Sequence, residues 1–178
     1  MADVSVRPAM PADAGDIAAV QLAAWRAGYA EILPPEVLAG PPEDLATAWH
    51  ATLSAPTPPR HRVLVAAEGH QVVGIAVLSS SDSPDADELA ALLVLPSAGR
   101  RGHGSRLLAA AVDGWRAAGV AEAVAWVWRN DRVLSTFLLS AGWGFDGGRR
   151  GLDTSLGVEQ QLRLRTQLSM APSGGLPD

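Results

Sequence analysis

The sequence predicts an α/β (α+β) chain: one mixed, mostly antiparallel sheet of about six or seven strands, flanked by helices. Three features predict it. Apolar runs of strand period and of helix period follow one another as strand, helices, three strands, helix, strand, helix, strand. The middle strands return through tight turns, a connection open only to antiparallel neighbours. The later strands alternate with helices, which allows a parallel neighbour. A doubly wound parallel sheet is excluded, because the middle strands turn straight back.

The elements follow in order. Ser5-Val6-Arg7 reads as a short first strand ended by Pro8. Asp13 or Pro11 stands where helix starts favour such residues, and Ile17, Val20, Gln21, Ala24 and Trp25 keep helical spacing as far as Tyr29. Pro34-Pro35 and Pro41-Pro42 bracket a short helical piece, and a third helix runs from about Glu43 to Leu53. Residues 54–59 form a proline-rich loop. Arg62 to Ala67 and Val72 to Leu78 are strands joined at Gly69. A polar, acidic loop covers 79–86. Glu88 to Leu95 is an apolar strand stopped by Pro96. Ser105 to Ala118 and Asp131 to Ala141 are helices closed by Gly119 and Gly142. Glu122 to Arg129 is an apolar strand between them. Leu162, Leu164, Thr166 and Leu168 alternate with Arg163, Arg165 and Gln167 in a last strand over 158–168.

Composition narrows the function. At 178 residues the chain suits one domain, at roughly 100–200 residues each. We read 1–168 as that domain and 169–178 as a disordered tail. There is no cysteine, which removes disulfides, thiolate metal sites and cysteine nucleophiles. All 14 basic residues are arginine, so a P-loop, with its obligatory lysine, is excluded. A net charge of −5 argues against a nucleic-acid partner. No run is long and apolar enough to cross a membrane, and the N-terminus shows no signal peptide. The expectation is a soluble, cytoplasmic protein.

One stretch carries chemistry. After Leu92-Leu93-Val94-Leu95-Pro96 comes a loop of glycine and arginine, Gly99-Arg100-Arg101-Gly102-His103-Gly104, and then Ser105 opens a helix. Successive N–H groups in such a bend converge on an anion, and the helix N-terminus adds its own positive end. Between Leu89 and Val112 the charged residues are Arg100, Arg101 and Arg106, with no acid. The field is positive in one loop of an acidic chain, as expected for a phosphate-bearing small molecule. A dinucleotide fingerprint fits poorly: Leu107 stands where its third glycine belongs, and the glycines follow the fourth strand. The other reading of these residues is an ordinary strand–helix turn with solvated arginines. No Gly-x-Ser-x-Gly elbow exists, so a serine hydrolase is disfavoured. The histidines His50, His61 and His70 have no metal spacing, and no metal is expected.

Val94, Pro96, Gly102, Gly104, Leu107 and Leu108 fit the pattern Val-x-Pro-x-x-(Arg/Gln)-x-x-Gly-x-Gly-x-x-Leu-Leu, which resembles the acyl-CoA motif of the GCN5-related N-acetyltransferase (GNAT) family. Gly99 departs from it, standing at the Arg/Gln position. The resemblance extends over about residues 4–168, through Val6-Arg7-Pro8, Trp25 to Tyr29, Leu33-Pro34, Val73-Gly74-Ile75-Ala76 and Ala141-Gly142-Trp143.

The resemblance implies a GNAT-like fold and an acyl-CoA-dependent N-acyltransferase, with acetyl-CoA as co-substrate and direct attack by a primary amine in a ternary complex. The acceptor is then a small-molecule or peptide amine, and a homodimer is common in the family. The implied cofactor contacts are the main-chain groups of Leu92, Leu93 and Val94, the loop residues Arg100, Arg101, Gly102, His103, Gly104 and Ser105, and Asn130. A fifth strand that splays from the fourth would admit the pantetheine arm. The histone-modifying branch of the family places a glutamate base on the fourth strand, eleven residues before the Arg/Gln position. Counted from Gly99 this is Glu88, with Asp87 the alternate. Strand alternation would put Glu88 on one face with Leu92 and Val94, and partial burial would raise its pKa. The usual thiolate-protonating tyrosine falls on Leu138 or, shifted by one, on Phe137, so water is the preferred acid. Tyr29 is expected to pack in the core or line the acceptor cleft. Trp126 and Trp128, on one strand face, join the core or cleft walls. The missing phenol and Gly99 leave a second reading open, a non-catalytic acyl-CoA-binding domain; a third, NAD(H)-dependent oxidoreduction, would show itself by NAD(H) binding.

Overall fold

Val4–Pro8 opens the chain as strand β1 and pairs antiparallel with β2 (Arg62–Glu68). The tight turn at Gly69, whose φ is +60°, sends β2 back as β3 (Gln71–Ser80). β3 pairs antiparallel with β4 (Ala86–Val94). Between β1 and β2 lie helices α1 (Ala14–Gly28), α2 (Pro35–Ala39) and α3 (Pro42–Ser54). Helix α4 (His103–Ala117) leads to β5 (Glu122–Trp128), and α5 (Arg132–Ser140) to the hairpin of β6 (Gly144–Thr154) and β7 (Gly157–Gln167). The seven strands lie in the order β1-β2-β3-β4-β5-β7-β6, and only β4 and β5 run parallel. This computed structural model describes residues 4–168 except Thr57, Pro59, Pro84 and Ser155. The expected tail 169–178 lies outside the described residues, as do Thr57 and Pro59 of the 54–59 loop and Pro84 of the 79–86 loop.

Each face of the sheet buries its own core. On one, Leu107, Trp115 and Leu138 of α4 and α5 pack on Leu78, Leu92 and Leu164. On the other, Ile17 and Val20 of α1 pack on Val65, Ile75 and Leu93. The entry to α1 is locked by a two-pronged pair from Arg7 to Asp13 (2.7 and 2.8 Å), while Asp13 also accepts the Met10 N–H at 2.7 Å. Asp13 thus fastens strand to helix through the turn of Pro11–Asp13 rather than capping α1 itself.

The structure departs from the sequence reading in four places. Residues 144–154 form a full strand, β6, that the sequence pattern did not announce. Four of its eleven residues are glycine, and none is fully buried. β6 is an edge strand held by its ladder to β7, so no hydrophobic alternation marks it. Helix α4 begins at His103, two residues before Ser105, and β3 and β4 shorten the acidic loop to about 81–85. Finally, β4 is bulged. Val77 pairs with Ala91 but Leu78 with Leu89, so Ala90 is an extra residue. Alternation therefore reverses there. Leu89 and Leu92 fall on the α4 face, and Glu88 falls on the α1 face with Ala91 and Leu93, not with Leu92 and Val94.

Candidate active site

β4 and β5 touch only at one end. Ala86, Asp87 and Glu88 pair with Glu122, Ala123 and Val124, and past Glu88 the strands part. The main-chain groups on that edge of β4 open into the gap instead of a ladder. A cavity of about 220 Å³ fills it, walled by Leu92 and Leu93 of β4, Trp126 and Trp128 of β5, Tyr29 and Leu134. A larger cavity of about 450 Å³ lies between α3 and the ends of β1 to β3; its wall includes Trp49, Leu53 and Val63 and no carboxylate.

At the far end of β4 the chain turns through Pro96–Ala98 and enters α4. Gly102 sits at the helix N-cap with φ of +83°, and Arg100 also has positive φ, +58°. The N–H groups of Arg100 to Ser105 have no main-chain acceptor among the described residues. Arg106 reaches back to the Arg101 carbonyl at 3.0 Å and closes the bend. Gly104 is informative for what it does not touch. A Cβ there would meet Phe137 at 3.7 Å, an ordinary contact, and its φ is unexceptional. The chain's own packing does not require glycine at this position.

The His103 ring turns away from the bend. The side chain is 1% exposed and turned inward, with Nε2 at 2.8 Å from Glu68 Oε1. The ring anchors the loop to the β2–β3 hairpin, and the residue's main-chain N–H has no main-chain acceptor among the described residues. Arg101 leans on the same carboxylate at 3.3 Å. The imidazole first, then Arg101, hold Glu68 below its usual carboxylate range. Arg100 and Ser105 are exposed on the bend, and Asn130 is exposed in the turn before α5.

A family model described as the Acetyltransferase (GNAT) family matches residues 22–142, more than half the chain. The chain belongs to the GNAT acetyltransferase family. It is an N-acetyltransferase, and the family's cofactor is acetyl-CoA. Solved structures share the GNAT fold across nearly the whole chain. The paiA N-acetyltransferase of Thermoplasma acidophilum in complex with coenzyme A is 19% identical, with a TM-score of 0.68 over 93% of this chain and 99% of that one. The yncA protein of Salmonella typhimurium with acetyl-CoA is 18% identical, with a TM-score of 0.70 over 97% and 98%. The ribosomal-protein-S18-alanine N-acetyltransferase of Escherichia coli is 18% identical, with a TM-score of 0.66 over 97% and 99%. No curated protein is significantly similar in sequence.

Against the GNAT pattern, the two candidate carboxylates of β4 separate. Glu88 is half-buried, and burial first raises its pKa; Arg150 opposes that rise, and Asp82 adds to it. Asp87 lies on the opposite face, 1% exposed and ion-paired with Arg60 at 2.6 Å. Leu138, at the tyrosine position, is buried in the core, and Phe137 packs by Gly104. Neither is a phenol. Tyr29 does line the cleft, and its hydroxyl donates to Asp131 Oδ2 at 2.7 Å. Asp131 also caps α5 through the Leu134 N–H. Burial and that carboxylate push the Tyr29 pKa far up. Three residues of the cleft region escaped the sequence reading. Arg150 stacks over Trp126, its Cζ 4.4 Å from the ring centroid, and its Nε donates to Gln161 Oε1 at 2.7 Å. Arg163 lies 5.5 Å from the same ring centroid. No motif joins these positions; only the β5-β7-β6 register does.

Proposed function

We propose that the chain transfers an acetyl group from acetyl-CoA to a primary amine by direct attack within a ternary complex, with Glu88 as the base. The observation that carries this is a half-buried carboxylate of raised pKa at the point where β4 and β5 separate. An alkyl ammonium, with a pKa near ~10.4, is almost wholly protonated at neutral pH and must lose a proton before it attacks. A carboxylate poised above its ordinary range is a better match for that proton than a solvated one. The diphosphate of the co-substrate fits the bend from Arg100 to Ser105. Unpaired N–H groups and the α4 N-terminus face it there, and Gly104 leaves the approach clear. The pantetheine arm fits the splay beside Leu92, Leu93 and Val94, whose edge groups can hydrogen-bond it and stabilise an oxyanion.

The leaving thiolate takes its proton from water. Tyr29 is a poor donor for it, since its phenol is tied to a carboxylate and its pKa is raised. A thiol pKa of ~8.5 lies about 1.5 units above neutral, so the missing phenol costs roughly 2 kcal/mol and leaves the reaction feasible. The test is thiol release from acetyl-CoA over a panel of amines, with Glu88→Gln beside the parent. Turnover that falls in the variant at unchanged CoA affinity supports the reading. Tight CoA binding with no turnover on any amine replaces it with a non-catalytic acyl-CoA-binding domain.

A further inference from the structure

The α1-facing side of the β5-β7-β6 region carries three arginines, and two are matched. Arg163 pairs with Asp146 at 2.8 Å, and Arg165 pairs with Glu122. Arg150, opposite Gln161 in the β6–β7 ladder, has no carboxylate partner among the described residues. Its guanidinium is nevertheless held, stacked on Trp126 and fixed through Nε to the buried Gln161. Both of those partners wall the cleft. A fork held this way is pre-organised for a carboxylate or phosphate.

Glu88 is the complementary case. It lies on the same sheet face, pairs in register with Val124 two residues before Trp126, and has no cation within ion-pair distance among the described residues. Arg150 is near enough for its charge to act on Glu88, yet the two form no ion pair among the described residues. One carboxylate and one guanidinium, neither ion-paired among those residues, thus flank an aromatic wall. Trp25, Trp128, Leu33 and the ring of Tyr29 make most of the remaining wall apolar, with Gln21 as a polar exception.

We infer that the acceptor is a free α-amino acid with a bulky apolar side chain, its amine at Glu88 and its carboxylate on Arg150. The inference rests on the acyl-transfer reading above and adds the substrate class. In the step itself the amine nitrogen bonds to the acetyl carbon and the C–S bond breaks. The nitrogen's proton leaves through Glu88 to solvent, and the thiolate takes one from water. The products are an N-acetyl amino acid and coenzyme A. A peptide N-terminus has no free carboxylate beside its amine, and a simple amine has none at all, so Arg150 separates the three.

The experiment compares kcat/KM at saturating acetyl-CoA for matched pairs: L-phenylalanine with 2-phenylethylamine, L-leucine with isoamylamine, and L-tryptophan with tryptamine. L-phenylalaninamide stands in for a peptide N-terminus. The expected result is a preference for the acids of roughly tenfold or more, the scale of a hydrogen bond to a charged group. Arg150→Gln should abolish that preference, Arg150→Lys should keep part of it, and both should bind CoA as the parent does. Equal use of acids and decarboxylated amines, or a preference untouched in Arg150→Gln, overturns the inference and leaves acyl transfer standing. Failure to acetylate any amine while CoA binds overturns both.

Discussion

In the proposed reading, the two ends of the cleft hold their ligands by different means. The bend from Gly99 to Ser105 would work through the main chain: the N–H groups of Arg100 to Ser105 have no main-chain acceptor among the described residues, while His103 and Arg101 lean on Glu68. The acceptor end works through side chains, with Glu88, Arg150, Trp126 and Gln161 arriving from four strands. A main-chain site tolerates many sequences but fixes where glycine must stand. A side-chain site fixes chemistry but scatters it along the chain. The first is suited to a constant cofactor, the second to a chosen acceptor.

That contrast can be broken at either end. The largest effect belongs to Glu88→Gln. We expect kcat to fall roughly 100-fold or more, the scale of a lost general base, with CoA affinity unchanged. Equal kcat in variant and parent at every pH removes Glu88 from the role. The same variant sharpens the account through stability. A raised carboxyl pKa means the folded chain binds that proton more tightly than the unfolded chain. Stability therefore falls as the pH rises through that window. Glu88→Gln should melt no lower than the parent at neutral pH, and at low pH the two should coincide.

At the other end, Gly104→Val should weaken CoA binding about tenfold or more, measured by calorimetry, because its side chain occupies the approach to the main chain. Gly104→Ala divides binding from folding. The nearest atom to the new Cβ is 3.7 Å away, so the helix should gain up to roughly 0.5–1 kcal/mol while CoA affinity drops. A variant that is less stable and binds CoA normally contradicts the assignment. Glu68→Gln acts one step back. Loosening His103 and Arg101 should weaken CoA roughly three- to tenfold and leave kcat at saturation alone. The smallest effect is a shift in pH dependence. Arg150 lowers the Glu88 pKa, so Arg150→Gln should move the acidic limb of kcat/KM to higher pH. A limb that stays in place separates the two charges.

The same contrast decides what a reader of the sequence can see. The bend was legible because Val94, Pro96, Gly102, Gly104, Leu107 and Leu108 are neighbours, and local geometry dictates each. The fold was legible too, except β6, whose glycine-rich edge has no buried side to leave a pattern. Glu88, the proposed base, was placed by counting, but its face was misread, since a bulge at Ala90 leaves no mark in an apolar run. Arg150 and Gln161 were out of reach. Their meeting depends on the register of β6 against β7, and arginines on an exposed strand read as solvated.

The central claim is that main-chain amides of the bend hold the diphosphate. It is tested most directly by titrating coenzyme A into ¹⁵N-labelled protein and following the amide signals. The amides from Arg100 to Ser105 should shift most, and those of the larger cavity beneath α3 should stay still. Silent signals in the bend, with the shifts gathered elsewhere, would contradict the account.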